Sequence, residues 1–296
     1  MKRVLTLALI VFSGVGNANL IVTDTNNATD LTNMLLGSGI SIVGTPTIIG
    51  NTDQSGTFID GLTGGLGIDQ GIVLTSGSAQ TAASSNNSDG FSVTAGTGGN
   101  AILTAQTGSA TFDQNVLSFD FMTTTDDLFF SYVFASEEYN EYVNSKFNDG
   151  FTLLLNGVNI AIAPDGLFVT INNVNCGNPY DEFHVTDNCS YFNNNDLNDG
   201  GPLFDIQYDG FTDVFTASAL GLGASVHNMT FIIADTGDSS WDSAVFIEAG
   251  SFSAELCPGT NLPQPCGSTS IPEPSTIILF AAGVFCLGFT RRQMRS

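Results

Sequence analysis

Residues Tyr132 to Phe151 read YVFASEEYNEYVNSKFNDGF. An apolar run, Leu128–Ala135, leads in as a strand, and a second apolar run, Phe151–Leu155, leaves the turn Asn148-Asp149-Gly150. Two apolar runs of strand length joined by a short polar connection predict two buried strands. The connection carries Glu137, Glu138, Glu141 and Asp149 among several aromatics, which marks it as a candidate site. Strand alternation puts Glu138 on the face opposite Glu137, and a strand ending near Ala135 would turn both outward.

Working outward, short β-branched and aromatic runs recur between Gly, Asn, Asp and Ser. Strands are predicted at Ile40–Val43, Thr47–Ile49, Gly71–Thr75, Ala101–Ala105, Val116–Met122, Val158–Ile162 and Leu167–Ile171. Others are predicted at Phe204–Tyr208, Thr212–Ser218, Asn228–Ala234 and Ala244–Phe252. Val116 to Phe121 alternates, as a half-buried sheet requires, with Leu117, Phe119 and Phe121 on one face. Asn156-Gly157 between apolar runs favours a type I′ hairpin. The expected fold is all-β, an antiparallel, jelly-roll-like sandwich with a core supplied by the 23 Phe residues. One short N-terminal helix is expected, capped by Thr29 or Asp30, with Leu31, Met34 and Leu35 on one face and running to Leu36 before Gly37. The Gly-rich segments 61–71 and 96–99 precede no predicted helix and no Lys, so they read as turns rather than nucleotide loops. Ser84–Gly90 and Asn193–Gly201 read as exposed Asn-rich loops.

Residues 19–271 hold 28 Asp and Glu against a single Lys, Lys146, and no Arg. A surface of that sign repels nucleic acid and anionic membranes, and it offers no basic patch for phosphate. Clustered carboxylates without basic partners call for cations. Ca²⁺ suits them, because it takes six to eight oxygen ligands from several segments. Two clusters qualify: Glu137, Glu138 and Asp149 around the opening stretch, and Asp235, Asp238 and Asp242 between two later strands, beside the only Trp, Trp241. The competing reading of each is a solvated acidic loop. A third segment, Asn194-x-Asp196-x-Asn198-Asp199-Gly200 with Asp205 at the twelfth position, is similar to an EF-hand loop but lacks its Gly, its terminal Glu and its flanking helices. Two His and scattered Ser form no nucleophile-elbow pattern, so no catalytic residue is assigned.

The two ends carry address signals. Lys2 and Arg3, the apolar Val4–Phe12 and the small residues Gly16-Asn17-Ala18 have the order of a secretory signal helix, residues 1–18. Ile277–Phe289 is apolar and followed by Arg291, Arg292 and Arg295. As a helix those residues reach about 20 Å, short of a ~30 Å hydrocarbon core, which suits a transient inner-membrane span held on the cytoplasmic side by its Arg residues. Residues 257–271 form a linker between the β domain, 19–256, and this tail. Export makes two local disulfides, Cys176–Cys189 and Cys257–Cys266, the default among three connectivities, each adding about 3 kcal/mol or less.

The tail Pro272-Glu273-Pro274, apolar helix and Arg-rich terminus, residues 272–296, resembles the PEP-CTERM sorting signal. That resemblance implies recognition by an exosortase in a Gram-negative bacterium, cleavage near Pro272, and release or surface attachment among exopolysaccharide producers. Gly71-Ile72-Val73-Leu74-Thr75-Ser76-Gly77, Val116 to Phe121, Phe134-Ala135-Ser136-Glu137-Glu138-Tyr139, Phe147-Asn148-Asp149-Gly150-Phe151, Ile171 to Asn175 and Asp242 to Ile247 resemble the choice-of-anchor L domain family. That likeness implies a surface protein but carries over neither activity nor ligand residues. The expected function is adhesive or structural association with extracellular polysaccharide, assisted by Ca²⁺. The alternatives are a secreted hydrolase acting on matrix polysaccharide and a passive surface-layer component.

Overall fold

A computed structural model describes residues 20–181, 186 and 188–256. The signal helix, the Cys257–Cys266 pair, the linker, Pro272-Glu273-Pro274 and the apolar tail with Arg291 and Arg292 lie outside the described residues. Thirteen strands form among those described: β1 (Ile21–Asp24), β2 (Ile40–Ile49), β3 (Ser55–Ile59), β4 (Gly71–Thr75), β5 (Thr111–Thr123), β6 (Leu128–Ser136), β7 (Gly150–Leu155), β8 (Val158–Asn159), β9 (Phe192–Asn194), β10 (Gly210–Thr212), β11 (Phe215–Ala219), β12 (His227–Thr236) and β13 (Ser243–Glu248). They make an eight-stranded sheet, β1-β3-β4-β13-β6-β10-β9 with β11 also on β6, and a five-stranded sheet, β2-β5-β12-β7-β8. Pairing between these strands is antiparallel throughout, so the expected antiparallel sandwich is the fold.

The alternation in β5 places Leu117, Phe119 and Phe121 in the core between the sheets, opposite Phe130, Tyr132 and Phe134 of β6. Rings interlock across that gap: Phe130 meets Phe231 edge-on at 5.8 Å, and Phe134 stacks on Phe151 at 5.5 Å. Each such pair adds about 0.5–1.5 kcal/mol beyond its buried area. The larger sheet is covered on its other face too. Val73, Val133, Ala135, Ala244 and Phe246 form a second core with Leu66, Ile68, Ile206, Tyr208 and Phe211. Burial on both faces is why β4 and β6 read as continuous apolar runs rather than alternating ones.

The hairpin at Asn156-Gly157 joins β7 to β8, with φ of 51° and 83°, the left-handed pair that a type I′ turn requires. The N-terminal helix, α1 (Ala28–Leu35), buries Leu31 and Leu35 as expected, but its cap is Asn27, whose side chain accepts from the Thr29 and Asp30 amides. Two further helices are α2 (Gly61–Gly64) and α3 (Ala101–Thr107), so both Gly-rich segments do adjoin helices. The predicted strand Ala101–Ala105 is part of α3. Asn100 accepts from the Ile102 and Leu103 amides, and Gly108 ends the helix at φ 79°. That capping overrides the apolar pattern, and Leu103 packs on Val116, Leu154 and Ile232 on the outer face of the smaller sheet.

Leu167–Ile171 and Phe204–Tyr208 are not strands. The first makes only isolated bridges, Ile162 with Phe168 and Gly150 with Thr170. The second lays Ile206 and Tyr208 onto the second core. Val158–Ile162 is a strand only over Val158–Asn159, and Thr212–Ser218 divides between β10 and β11, both on β6. Cys176 and Cys189 form the expected disulfide, with Cα atoms 4.4 Å apart. Among the described residues no helix is long and apolar enough to cross a membrane.

Candidate metal centre

Antiparallel register gathers the acidic residues at one end of the sandwich. Ser136 at the end of β6 pairs with Ser243 at the start of β13, Ala234 of β12 pairs with Gly150 of β7, and Ala244 pairs with Thr75 of β4. Glu137 and Glu138 follow the first of these points, Asp149 precedes the third strand end, and Asp235 and Asp242 flank the β12–β13 connection. Segments separated by about a hundred residues in sequence therefore deliver five carboxylates to one rim. Five of the six acidic residues of the two clusters singled out from the sequence lie there, and Asp238 is exposed in the β12–β13 connection.

These side chains do not turn outward. Glu137, Asp149 and Asp242 are fully buried, Asp235 is 1% exposed and Glu138 3%. Asp149 accepts from the Thr236 amide at 2.7 Å and from the Ser243 hydroxyl at 2.7 Å. Asp242 accepts from the Val93 amide at 3.0 Å. Neither oxygen of Asp235 or of Glu137 accepts a hydrogen bond of normal geometry, and Oε2 of Glu138 has none. Asp238 is exposed and bonds the Ser240 amide at 3.0 Å.

A bulge sharpens the site. Between Ile233 and Asp235 the register against β5 shifts, and Asp113 takes up the slack at φ 53°. Its carboxylate accepts from the Ala95 and Gly96 amides at 3.1 and 2.7 Å, and its charge acts on Asp235 and Asp242. Neighbouring Asn115, fully buried, leaves Oδ1 without a donor.

Burial is the leading cause of the electrostatic strain. It raises Glu138, with help from Asp149 and Asp238, to about 11. It holds Asp149 well above the carboxylate range despite the Ser243 and Thr236 donors, and Asp235 likewise, with Asp149 and Asp242 adding to it. Asp242 reaches about 7. Glu137 is raised by burial and then by Asp209, against a weak pull from the Phe91 amide. The one Lys among the described residues, Lys146, places its ammonium 4.7 Å over the Phe147 ring. An ionised buried carboxylate without a partner costs several kcal/mol. Several of them together would rival the 5–15 kcal/mol that holds a domain together. The rim must therefore hold protons or cations. Its donors are oxygen alone, the chemistry of Ca²⁺ rather than of Zn²⁺ or Cu²⁺.

Beside Glu138 a pocket of about 50 Å³ is lined by Tyr142, Phe147, Asp238, Ser240 and Trp241. Trp241 sits at φ 66°, meets Tyr142 edge-on at 4.5 Å, and lies against the Gly90 backbone.

The third segment does not wrap around an ion as an EF-hand loop would. Asp199 bonds Asn140 and Asn194, and Asp205 meets Ser85. Asp196 instead lies beside Asp89 and Asp209. Sequence reasoning did not single out Asp89, Asp113 or Asp209. Asp89 stands alone among polar neighbours, Asp209 is a single acid in an apolar stretch, and a bulge re-aims Asp113, so no local pattern marks them.

Residues 20–253 match the choice-of-anchor L domain, and residues 270–292 match the PEP-CTERM protein-sorting motif. Comparison with curated proteins and with solved structures finds no match. The sorting motif implies processing by an exosortase, and with the anchor domain it indicates a protein exported through the inner membrane to the surface of a Gram-negative bacterium. With nearly all of its β region covered by that first match, the chain belongs to the choice-of-anchor L domain family.

Proposed function

We propose that the domain is a Ca²⁺-stabilised, non-catalytic surface module that associates with extracellular polysaccharide. The observation that carries this reading is the convergence of Glu138, Asp149, Asp235 and Asp242, all buried and without a basic partner, with Glu138 Oε2 and both Asp235 oxygens lacking hydrogen bonds of normal geometry. An ion ligated there ties β6, β7, β12 and β13 together at the rim. The adjoining pocket is too small to enclose a drug-sized ligand, which needs roughly 300 Å³ or more. It suits the edge of one sugar ring, with the Trp241 ring against its apolar side and carboxylates toward its hydroxyls. The C-terminal tail serves as a transient membrane span until the exosortase acts.

The test is co-sedimentation of the full chain, in detergent, with purified bacterial exopolysaccharide, in Ca²⁺ and in chelator, alongside an assay for new reducing ends. Ca²⁺-dependent retention without sugar release supports the module. Release of reducing ends that a folded Glu137→Gln/Glu138→Gln variant loses would establish the hydrolase instead. Absence of retention under both conditions would leave the passive surface-layer role and overturn the adhesive one.

A further inference from the structure

Glu137 and Glu138 leave β6 in opposite directions, and they enter different acidic groups. Glu138 faces Asp149 and Asp238, whereas Glu137 feels Asp209, Asp242 and Asp89. Behind Glu137, Asp89, Asp196 and Asp209 bring one carboxylate oxygen each to within 4.8 Å of one another. Ca²⁺ binds oxygens at about 2.3–2.6 Å, so ligands on opposite sides of one ion lie about 5 Å apart.

Asp209 and Asp89 are each held by a donor at one oxygen only, whereas Asp196 accepts at both. Asp196 accepts from the Asn198 amide at 2.7 Å and from the Tyr180 hydroxyl at 2.8 Å. Asp209 Oδ1 accepts from Asn86 at 2.5 Å, and Asp89 Oδ2 accepts from the Asn198 side chain. Without a hydrogen bond of normal geometry are Asp209 Oδ2, Asp89 Oδ1, Asn140 Oδ1 and both oxygens of Glu137. Glu137 and Asp209 are fully buried and Asn140 is 2% exposed, so solvent does not satisfy them. A buried polar group without a partner is costly, and here several acceptors crowd together with no donor left among them.

We infer that Asp89, Asp196, Asp209 and Glu137 form a second Ca²⁺ site, separate from the one at Glu138 and standing whether or not that one is filled. All its ligands are oxygen, and neither Cys nor His contributes to the group. The ion joins segments remote in sequence: the loop after Ala83, the connection after β6, and the β9–β10 region. The Asn-rich stretches Ser84–Gly90 and Asn193–Gly201, expected as exposed loops, are thereby folded onto the outer face of the larger sheet. Asn86 and Asn195 are already buried there, and Asn86 donates to the Asn195 carbonyl at 2.9 Å.

Counting bound Ca²⁺ on the full chain by native mass spectrometry from detergent tests this. Two ions are expected on the unaltered protein. Asp209→Asn and the more exposed Asp89→Asn are each expected to keep one, with unchanged near-ultraviolet circular dichroism. Asp235→Asn, at the other site, is expected to lose the other ion and keep this one. An unchanged count in both Asp89→Asn and Asp209→Asn overturns the second site, whatever Asp235→Asn does. An Asp235→Asn protein that retains the ion removed by Asp89→Asn supports it even where the first site binds nothing.

Discussion

Gly77 lies against Asp242 so closely that a β-carbon built on it would overlap the Asp242 carboxylate. The end of β4 therefore fixes where that carboxylate stands, across the β4–β13 pair. Gly77→Ala should displace Asp242 and cost about 1–3 kcal/mol, as overpacking of a tight site does. Urea denaturation measures the loss, and the Ca²⁺ response of the variant should be weakened as well. A variant as stable as the parent would mean the rim yields freely.

Asp235 accepts no hydrogen bond of normal geometry at either oxygen, and only the Ser76 hydroxyl pulls on it, so replacing it disturbs little bonding. Asp235→Asn should be at least as stable as the parent at pH 8 in chelator, because the carboxyl that burial, Asp149 and Asp242 disfavour is gone. In Ca²⁺ it should be the less stable of the two. At a hundredfold excess over the dissociation constant, binding adds about 2.7 kcal/mol to the parent. The crossing of the two melting curves is the measurement.

The pH dependence should invert with calcium. Carboxyls raised in the folded state bind more protons there than in the unfolded chain, where they titrate near 4, so stability without metal falls as pH rises. The stabilisation is complete below about pH 4 and is lost first through Asp242, near 7, then Asp209, near 9, and then Glu138, near 11. Each group contributes a slope of about 1.4 kcal/mol per pH unit between its two values. Ca²⁺ competes with those protons, so its stabilising effect should be small at pH 5 and large at pH 8. Melts in chelator and in Ca²⁺ across that range check both slopes.

Much of this was legible in residue order. The apolar runs of β4, β6, β7 and β12 gave their strands directly, and once β6 and β13 are antiparallel, Glu137 and Asp242 must share an end. Burial of those acids was not legible, because a loop flanked by aromatics reads the same whether it folds inward or stays wet. The strands β1, β3 and β9 escaped notice because they are short and polar, held by their neighbours rather than by their own pattern. Asp89, Asp196 and Asp209 come together only through the second core, a layer that a two-sheet reading does not contain.

Trp241 tests the sugar-binding reading apart from the metal. Its φ of 66° suits glycine better than a large residue, so Trp241→Gly relieves the backbone while removing the indole. Polysaccharide retention should fall about tenfold, the scale of a single aromatic anchor. The Ca²⁺ shift in melting temperature should persist. Loss of both together would assign Trp241 to the fold rather than to the ligand.

The disulfide between Cys176 and Cys189 spans 13 residues. Its replacement by Cys176→Ser/Cys189→Ser should cost about 3 kcal/mol or less, the loop-entropy expectation for so short a closure. Chemical denaturation of the double variant against the oxidised parent reads the difference.

The central claim is that the buried acidic rim is completed by calcium. Thermal melts of the full chain at pH 8, in millimolar Ca²⁺ and in chelator, test it most directly. A single filled site should raise the melting temperature by about 5–10 °C, and a second by more. Superimposable melts in Ca²⁺ and in chelator would contradict the account and leave the rim to protons alone.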